Sequence, residues 1–276
     1  MPLNQELIET PIGVVRIIDI TPDKLKTEIP VLIAPGWGET PRTFQESANV
    51  MAGKGRRTLS LAHPRFGKIS ETNLELRGTY RKQELRRALT LLYVLEQKGI
   101  EKADVVAHST GAVDIAVAAS IKPERFRNIV LFAPGGMTGK GDISVIKRLV
   151  MNLQASMLRA INDPENVSQR LMRGGTETLK YFLKNPPRAI MELIEVLGKT
   201  DISGLLEALH GQGHRISIIQ GVDDRAIPME KIQKVANTKQ IHGFYSIQGD
   251  HLEIYAQPER YMGVVNEALT ALENKS

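Results

Sequence analysis

The stretch Asp104-Val-Val-Ala-His-Ser-Thr-Gly-Ala112 decides how the chain is read. Val105-Val106-Ala107 is a short apolar run, as expected of a buried strand, and Gly111 opens an apolar helical segment through Ala112, Ile115, Ala116 and Ala119. Strand, sharp turn and helix follow one another with Ser109 at the tip of the turn. A serine there sits in a strained backbone conformation, and its neighbours on either side must approach closely. Ala107 and Gly111, two residues before and two after it, are small enough to allow this.

Outward from this turn the same alternation recurs. Pro30-Val-Leu-Ile-Ala34 is a continuous apolar run, which fits a strand buried on both faces, and it ends in Pro35-Gly-Trp-Gly38. Thr40-Pro41 starts a helix to about Gly53, cap followed by Pro at the first position. Thr58 to Ala62 is the next strand, leading into His63-Pro-Arg-Phe-Gly67. A long helix begins at Thr79, with Leu85, Ala88, Leu89, Leu92 and Leu95 on one stripe, and stops at Gly99. Asn128 to Ala133 is a strand ending in Pro134-Gly-Gly136. Ahead of all these, Glu6 to Thr10 and Gly13 to Ile20 form an N-terminal hairpin. Alternating strands and helices predict an α/β fold with a mostly parallel sheet covered on both faces.

Residues 137–212 interrupt the pattern. The expected helices there are Ser144 to Ile161, Pro164 to Met172, Thr176 to Lys184, Pro187 to Leu197 and Asp201 to His210, punctuated by Gly174-Gly175 and Pro186-Pro187. This predicts a helical insertion, a cap or lid at 137–212, set into a core of 1–136 and 213–276. Five methionines lie in it, Met137, Met151, Met157, Met172 and Met191, and suit an adaptable apolar surface over a pocket. The core pattern resumes with a strand at Arg215 to Ile219, a helix at Pro228 to Ala236, a strand at His242 to Ile247 and a closing helix at Pro258 to Leu272.

Composition narrows the classes. The 42% hydrophobic and 24% charged content is that of a globular chain, against disorder. The net charge of +5 is mild. The clusters Lys54, Arg56, Arg57 and Arg81, Lys82, Arg86, Arg87 read as solvated helix and loop faces rather than a nucleic-acid site. With no cysteine, disulfides, thiolate metal sites and a Cys nucleophile are excluded. The N-terminus lacks the pattern of a signal peptide and no apolar run is long enough to span a bilayer. The expectation is a soluble cytoplasmic protein, a monomer or homodimer, acting on a small molecule without cofactor or metal. A nucleotide-binding α/β protein would need a G-x-G-x-x-G loop after its first parallel strand; Pro35-Gly-Trp-Gly-Glu39 lacks it, and Glu39 would repel a phosphate.

Three polar residues fall just past the carboxyl ends of three parallel strands: Ser109, Asp224 and His251. The crevice of an open α/β sheet lies there. A serine hydroxyl needs a base within hydrogen-bond reach, and the base needs an orienting carboxylate. The turn Ala107-His-Ser-Thr-Gly111, the loop Gly221-Val-Asp-Asp-Arg-Ala-Ile-Pro228 and the final Gly249-Asp-His251 together resemble the α/β-hydrolase superfamily, whose triad runs in the order Ser, acid, His. The resemblance implies an α/β-hydrolase fold. It makes Asp224 the acid, with Asp223 as runner-up, since the family's aspartate follows Gly by three and precedes Pro by four. The oxyanion hole would use the backbone N–H groups of Thr110 and Trp37. Pro35 stands where the family usually has His, which changes what supports that loop. Trp37, His108 and Met137 are expected around the substrate, His108 pointing away from Ser109 as a wall residue. Arg65 stands where many members have Gly and is a candidate for meeting a substrate carboxylate.

Gly36-Trp37 combined with Ser109-Thr-Gly111 is similar to the serine esterase branch of aryl esterases once called cofactor-free haloperoxidases. The implied activity is hydrolysis of small to medium hydrophobic carboxylic esters through an acyl-enzyme. The alternatives are a lactonase, thioesterase, perhydrolase or carbon–carbon bond hydrolase, or a ligand-binding scaffold of this fold with little turnover.

Overall fold

The computed structural model describes residues 5–64, 75–137, 144–162 and 166–274, without the side chains at 153, 156, 157, 159–162 and 166–174. Among the described residues, eight strands form one sheet: β1 (Glu6–Thr10), β2 (Gly13–Ile20), β3 (Val31–Ala34), β4 (Thr58–Ala62), β5 (Ala103–His108), β6 (Phe126–Phe132), β7 (Arg215–Gly221) and β8 (Gly243–Ile247). Their order is β1-β2-β4-β3-β5-β6-β7-β8. The β1–β2 hairpin joins β4 antiparallel, and every pairing from β4 through β8 is parallel.

The strands of the parallel part alternate their side chains between two cores, as the two-residue period of a strand requires. Leu32, Ala34, Val105, Ala107, Ile129, Leu131, Ile216 and Ile218 point to one face. There they meet α2 (Lys82–Gln97) and α3 (Gly111–Ile121), which present Ala88, Leu91, Leu95, Ile115 and Ala116. Val31, Ile33, Val106, Val130, Phe132 and Ile219 point to the other face. They pack on α1 (Pro41–Gly53) through Phe44, Ala48 and Met51. Between β6 and β7 the described residues form only helices: α4 (Ser144–Asn162), α5 (Asn166–Lys184), α6 (Pro186–Leu193), a π turn at Ile194–Gly198, and α7 (Ser203–Gly211). The chain ends through α8 (Met229–Ala236), α9 (Glu253–Ala256) and α10 (Pro258–Glu273), where Tyr261, Met262, Val265 and Leu269 complete the second core.

Two expectations need correction. The pair of helices expected on either side of Gly174-Gly175 is one helix, α5, running through both glycines. Two glycines cost a helix about 1 kcal/mol each, which 19 residues with packed neighbours tolerate. The two basic clusters are not simply solvated. Arg56 is 0% exposed and Arg86 and Arg87 are 2% exposed. Each is paired with carboxylates: Arg56 with Glu273 at 2.8 Å, Arg86 with Glu192 at 3.1 Å and Arg87 with Asp114 at 2.8 Å.

Candidate active site

The parallel register lines up the site. Ala34 of β3 pairs with Ala107 of β5, His108 with Phe132 of β6, Phe132 with Ile219 of β7, and Gly221 with Ile247 of β8. The residues leaving those strands at the carboxyl edge therefore meet: 35–38, 109–111, 133–136, 222–228 and 248–252. Ser109 has φ of 52°. It is one of two non-glycine residues with positive φ among those described, the other being Ala133, just past the end of the neighbouring strand β6. This strain is held by hydrogen bonds from Ser109 N to Phe132 O at 3.0 Å and from Gly135 N to Ser109 O at 2.9 Å. Gly111 is required sterically, because a Cβ there would lie 2.4 Å from Ala34 O.

The three side chains expected to work together form one hydrogen-bonded chain. Ser109 Oγ lies 3.0 Å from His251 Nε2, and His251 Nδ1 lies 2.8 Å from Asp224 Oδ2. A carboxylate only accepts, so Nδ1 carries the proton and Nε2 is left to accept from the serine hydroxyl. Asp224 is itself oriented: Oδ1 accepts from the N–H groups of Ala226 and Ile227, both at 2.9 Å, in a side-chain-capped turn. Asp223 points elsewhere, is exposed, and accepts from Gln248. Burial would lower the His251 pKa; the Asp224 charge and hydrogen bond, with Glu39 farther off, outweigh it, and the net result is a raised value.

Pro35-Gly-Trp-Gly38 runs beside the serine turn. Among the described residues, the backbone N–H groups of Trp37 and Thr110 have no protein acceptor. The Trp37 ring is half-buried and meets Tyr181 of α5 edge-on, with centroids 5.3 Å apart. Gly38, at φ of 75°, lies against α5 so closely that a Cβ would be 3.1 Å from Thr178 Cα. His108 and Met137 are both buried. His108 is fully buried under His251, and both its ring nitrogens face oxygens, Glu39 Oε1 at 2.6 Å and the His251 carbonyl at 3.1 Å. Met137 is 3% exposed inside the first core. Arg65 lies outside the described residues.

The family model of the alpha/beta hydrolase fold matches residues 29–188, more than half of the chain. The chain belongs to the alpha/beta hydrolase family. Solved structures similar to this hydrolase include a bromoperoxidase from Bacillus anthracis, at 16% identity and a TM-score of 0.71, covering 97% of this chain and 100% of that one. A carboxylesterase structure from Nitrososphaera gargenis matches at 16% identity and a TM-score of 0.70, over 98% and 100%. An esterase from Thermogutta terrifontis matches at 18% identity and a TM-score of 0.68, over 98% and 99%. At these identities the likeness is one of fold. No curated protein sequence matches the chain.

Around this hydrolase's serine turn lie charged residues that motif reading did not find. Arg87 of α2 donates to Asp114 in the first turn of α3 (Nε at 2.8 Å, Nη2 at 2.8 Å), to Thr110 Oγ1 at 3.0 Å and to the Pro35 carbonyl at 3.3 Å. Burial would lower its pKa; the Asp114 carboxylate outweighs this and raises it, so the guanidinium is a permanent cation. Glu39 accepts from Gly36 N–H and from the Tyr255 hydroxyl, besides its contact with His108. Burial alone would raise the Glu39 carboxyl; the His108 ring, that hydroxyl and that amide hold it below the ordinary value. The signal available in the sequence was weak: a polar residue in a helix stripe otherwise apolar, and partners separated by 27 and 69 positions.

Among the described residues no group of His, Asp and Glu is arranged to hold a metal ion, and no helix is long and apolar enough to cross a membrane.

Proposed function

We propose that this hydrolase cleaves carboxylic esters through an acyl-enzyme on Ser109. The observation that carries the reading is the continuous chain from Ser109 Oγ through His251 to Asp224, at 3.0 and 2.8 Å, on a serine at φ of 52°. In this reading His251 Nε2 takes the hydroxyl proton as Oγ attacks the acyl carbon, and Asp224 stabilises the imidazolium that forms. The carbonyl oxygen, now negative, is met by the Trp37 and Thr110 N–H groups. Collapse of the tetrahedral species expels the alcohol, which receives the proton from His251. Water then attacks the acyl carbon by the same route in reverse order, freeing the acid and Ser109. The raised His251 pKa serves a base that must hold a proton in mid-reaction.

The helical segment at 137–212 acts in this proposal as a cap over the carboxyl ends of the strands. The contacts of α5 with Trp37 and Gly38 support that placement. Ser109 is 4% exposed, which favours esters whose acyl or alcohol part can be enclosed by apolar surface. The test is hydrolysis of a p-nitrophenyl ester series, short to long acyl, by wild type and Ser109→Ala. Turnover that falls to background in the alanine variant supports the reading. Equal rates in both proteins, or none in either, refute it.

A further inference from the structure

The two amides expected to hold the oxyanion come from different strands, one after β3 and one after β5. Their value depends on a fixed separation, since donors act only when already aimed at the position the oxyanion will occupy. Backbone pairing stops at Ala34 and Ala107, so something past the strand ends must fix the loop at 35–38 relative to the serine turn. Pro35 has no N–H and its ring cannot serve as a polar brace. The buried polar groups nearby fall into two sets.

Glu39 holds the loop by the Gly36 N–H and, through its other oxygen, holds the ring of His108, the residue before Ser109. Arg87 holds the same loop by the Pro35 carbonyl and, with the same nitrogen, holds the hydroxyl of Thr110, the residue after Ser109. One side chain is anionic and the other cationic. Each binds one backbone atom of the loop and one flank of the serine. Both are buried, Glu39 at 7% and Arg87 at 2% exposed, so water does not compete for these contacts. Each is backed by further partners: Tyr255 behind Glu39, Asp114 behind Arg87. The His108 ring also passes the restraint to the carbonyl of His251, at 3.1 Å.

We propose that Glu39 and Arg87 are paired positioning residues, two clamps on either side of Ser109 that fix the oxyanion loop to the serine turn. This rests on the ester-hydrolase reading above. Neither residue touches substrate; both act through the backbone they hold. The planar fork matters for Arg87, because one guanidinium spans Asp114, Thr110 and Pro35 at once, and a lysine ammonium cannot. A pair of buried charges is a poor source of stability by itself; fixing two loops in register is a better account of why they stand here.

The experiment compares wild type, Ser109→Ala, Arg87→Lys, Thr110→Val and Glu39→Gln on an oxo-ester and its thionoester, in which sulfur replaces the carbonyl oxygen. Sulfur is larger and a weaker acceptor, so an aimed pair of amides favours the oxo substrate. Arg87→Lys is expected to lower kcat about ten- to hundred-fold, with KM within about threefold of wild type, and to shrink the oxo-to-thiono rate ratio. Thr110→Val, which keeps its amide and removes only the hydroxyl that Arg87 binds, moves the same quantities in the same direction by a smaller factor and guards against misfolding of the lysine variant. Glu39→Gln, which retains an acceptor for Gly36 N–H, shifts the ratio least. If all three variants melt lower yet keep the wild-type kcat and oxo-to-thiono ratio, the clamps are structural only and the proposal is overturned. If wild type and Ser109→Ala do not differ, the ester-hydrolase reading fails first and the clamp proposal falls with it.

Discussion

His63 should make the folded protein acid-sensitive by itself. It follows β4, its side chain is 6% exposed, and its Nε2 lies 3.2 Å from Asp114 Oδ2, close but poorly aligned for a hydrogen bond. Burial lowers its pKa most, the Arg87 cation lowers it further, and Asp114 opposes both; the result is a value of about 4. In the unfolded chain the same imidazole takes up its proton near 6.5. Between these two values the unfolded state binds more protons than the folded one, so stability falls as pH drops from 6.5 towards 4 and stops falling on this account below 4. The drop from 6.5 to about 4, at about 1.4 kcal/mol per pH unit, amounts to about 3 kcal/mol. His63→Gln removes the titration and keeps an amide beside Asp114. Urea unfolding followed by far-ultraviolet circular dichroism at pH 7.5, 6.5, 5.5 and 4.5 would give both stability curves. The wild type should lose about 2 kcal/mol more than the variant over the lower three points, the rest of the shift lying below them. Parallel curves for the two proteins would refute the argument, because every other titrating group is common to both.

Three further outcomes follow from the geometry. Gly111→Ala puts a Cβ 2.4 Å from Ala34 O; backbone must move, and a loss of about 2–3 kcal/mol in unfolding free energy is expected together with slower ester turnover. The acidic limb of kcat/KM should lie above pH 6.5, because His251 acts as a base only when neutral and its pKa is raised; a limb at or below 6.5 would contradict the charge arrangement. Arg56→Met removes one of the two arginines that meet the buried Asp104 and the half-buried Glu273 at the amino ends of the strands, both of which keep Arg127, so stability should drop by about 1–3 kcal/mol while kcat at 25 °C holds, as thermal melts and initial rates would record.

How much of this was legible in the sequence depended on where the signal resides. The hairpin Glu6–Thr10 and Gly13–Ile20 and the helix Pro41–Gly53 have the bounds that their turn, cap and β-branched residues dictate. Ser109, Asp224 and His251 could be picked out because each follows an apolar strand in a loop with glycine at a fixed offset, and the structure brings the three side chains into hydrogen-bond contact. Arg86 and Arg87 were taken for surface charge because a buried arginine differs from an exposed one only by its partner. Those partners, Glu192 and Asp114, are 106 and 27 positions away. His108 reads in the sequence as a wall residue pointing away from Ser109, and Met137 as part of an adaptable apolar surface over the pocket. In a strand, the residue next to Ser109 faces the opposite side of the sheet, which is why His108 ends beneath the site with Glu39. Gly174-Gly175 failed as a break because a helix with neighbours on both sides does not need every residue to favour it.

The contact between Trp37 and Tyr181 has a practical side. The chain has one tryptophan, and it sits in the loop at 35–38 with its ring against a tyrosine of α5, centroids 5.3 Å apart. Emission from this protein excited at the red edge of indole absorption therefore comes from a single fluorophore, placed where the sheet core meets the helices that follow β6. In the cap reading proposed above, a displacement of α5 would take the phenol ring away from that indole and shift the spectrum, so such a movement can be looked for in the unlabelled protein, in real time and during turnover.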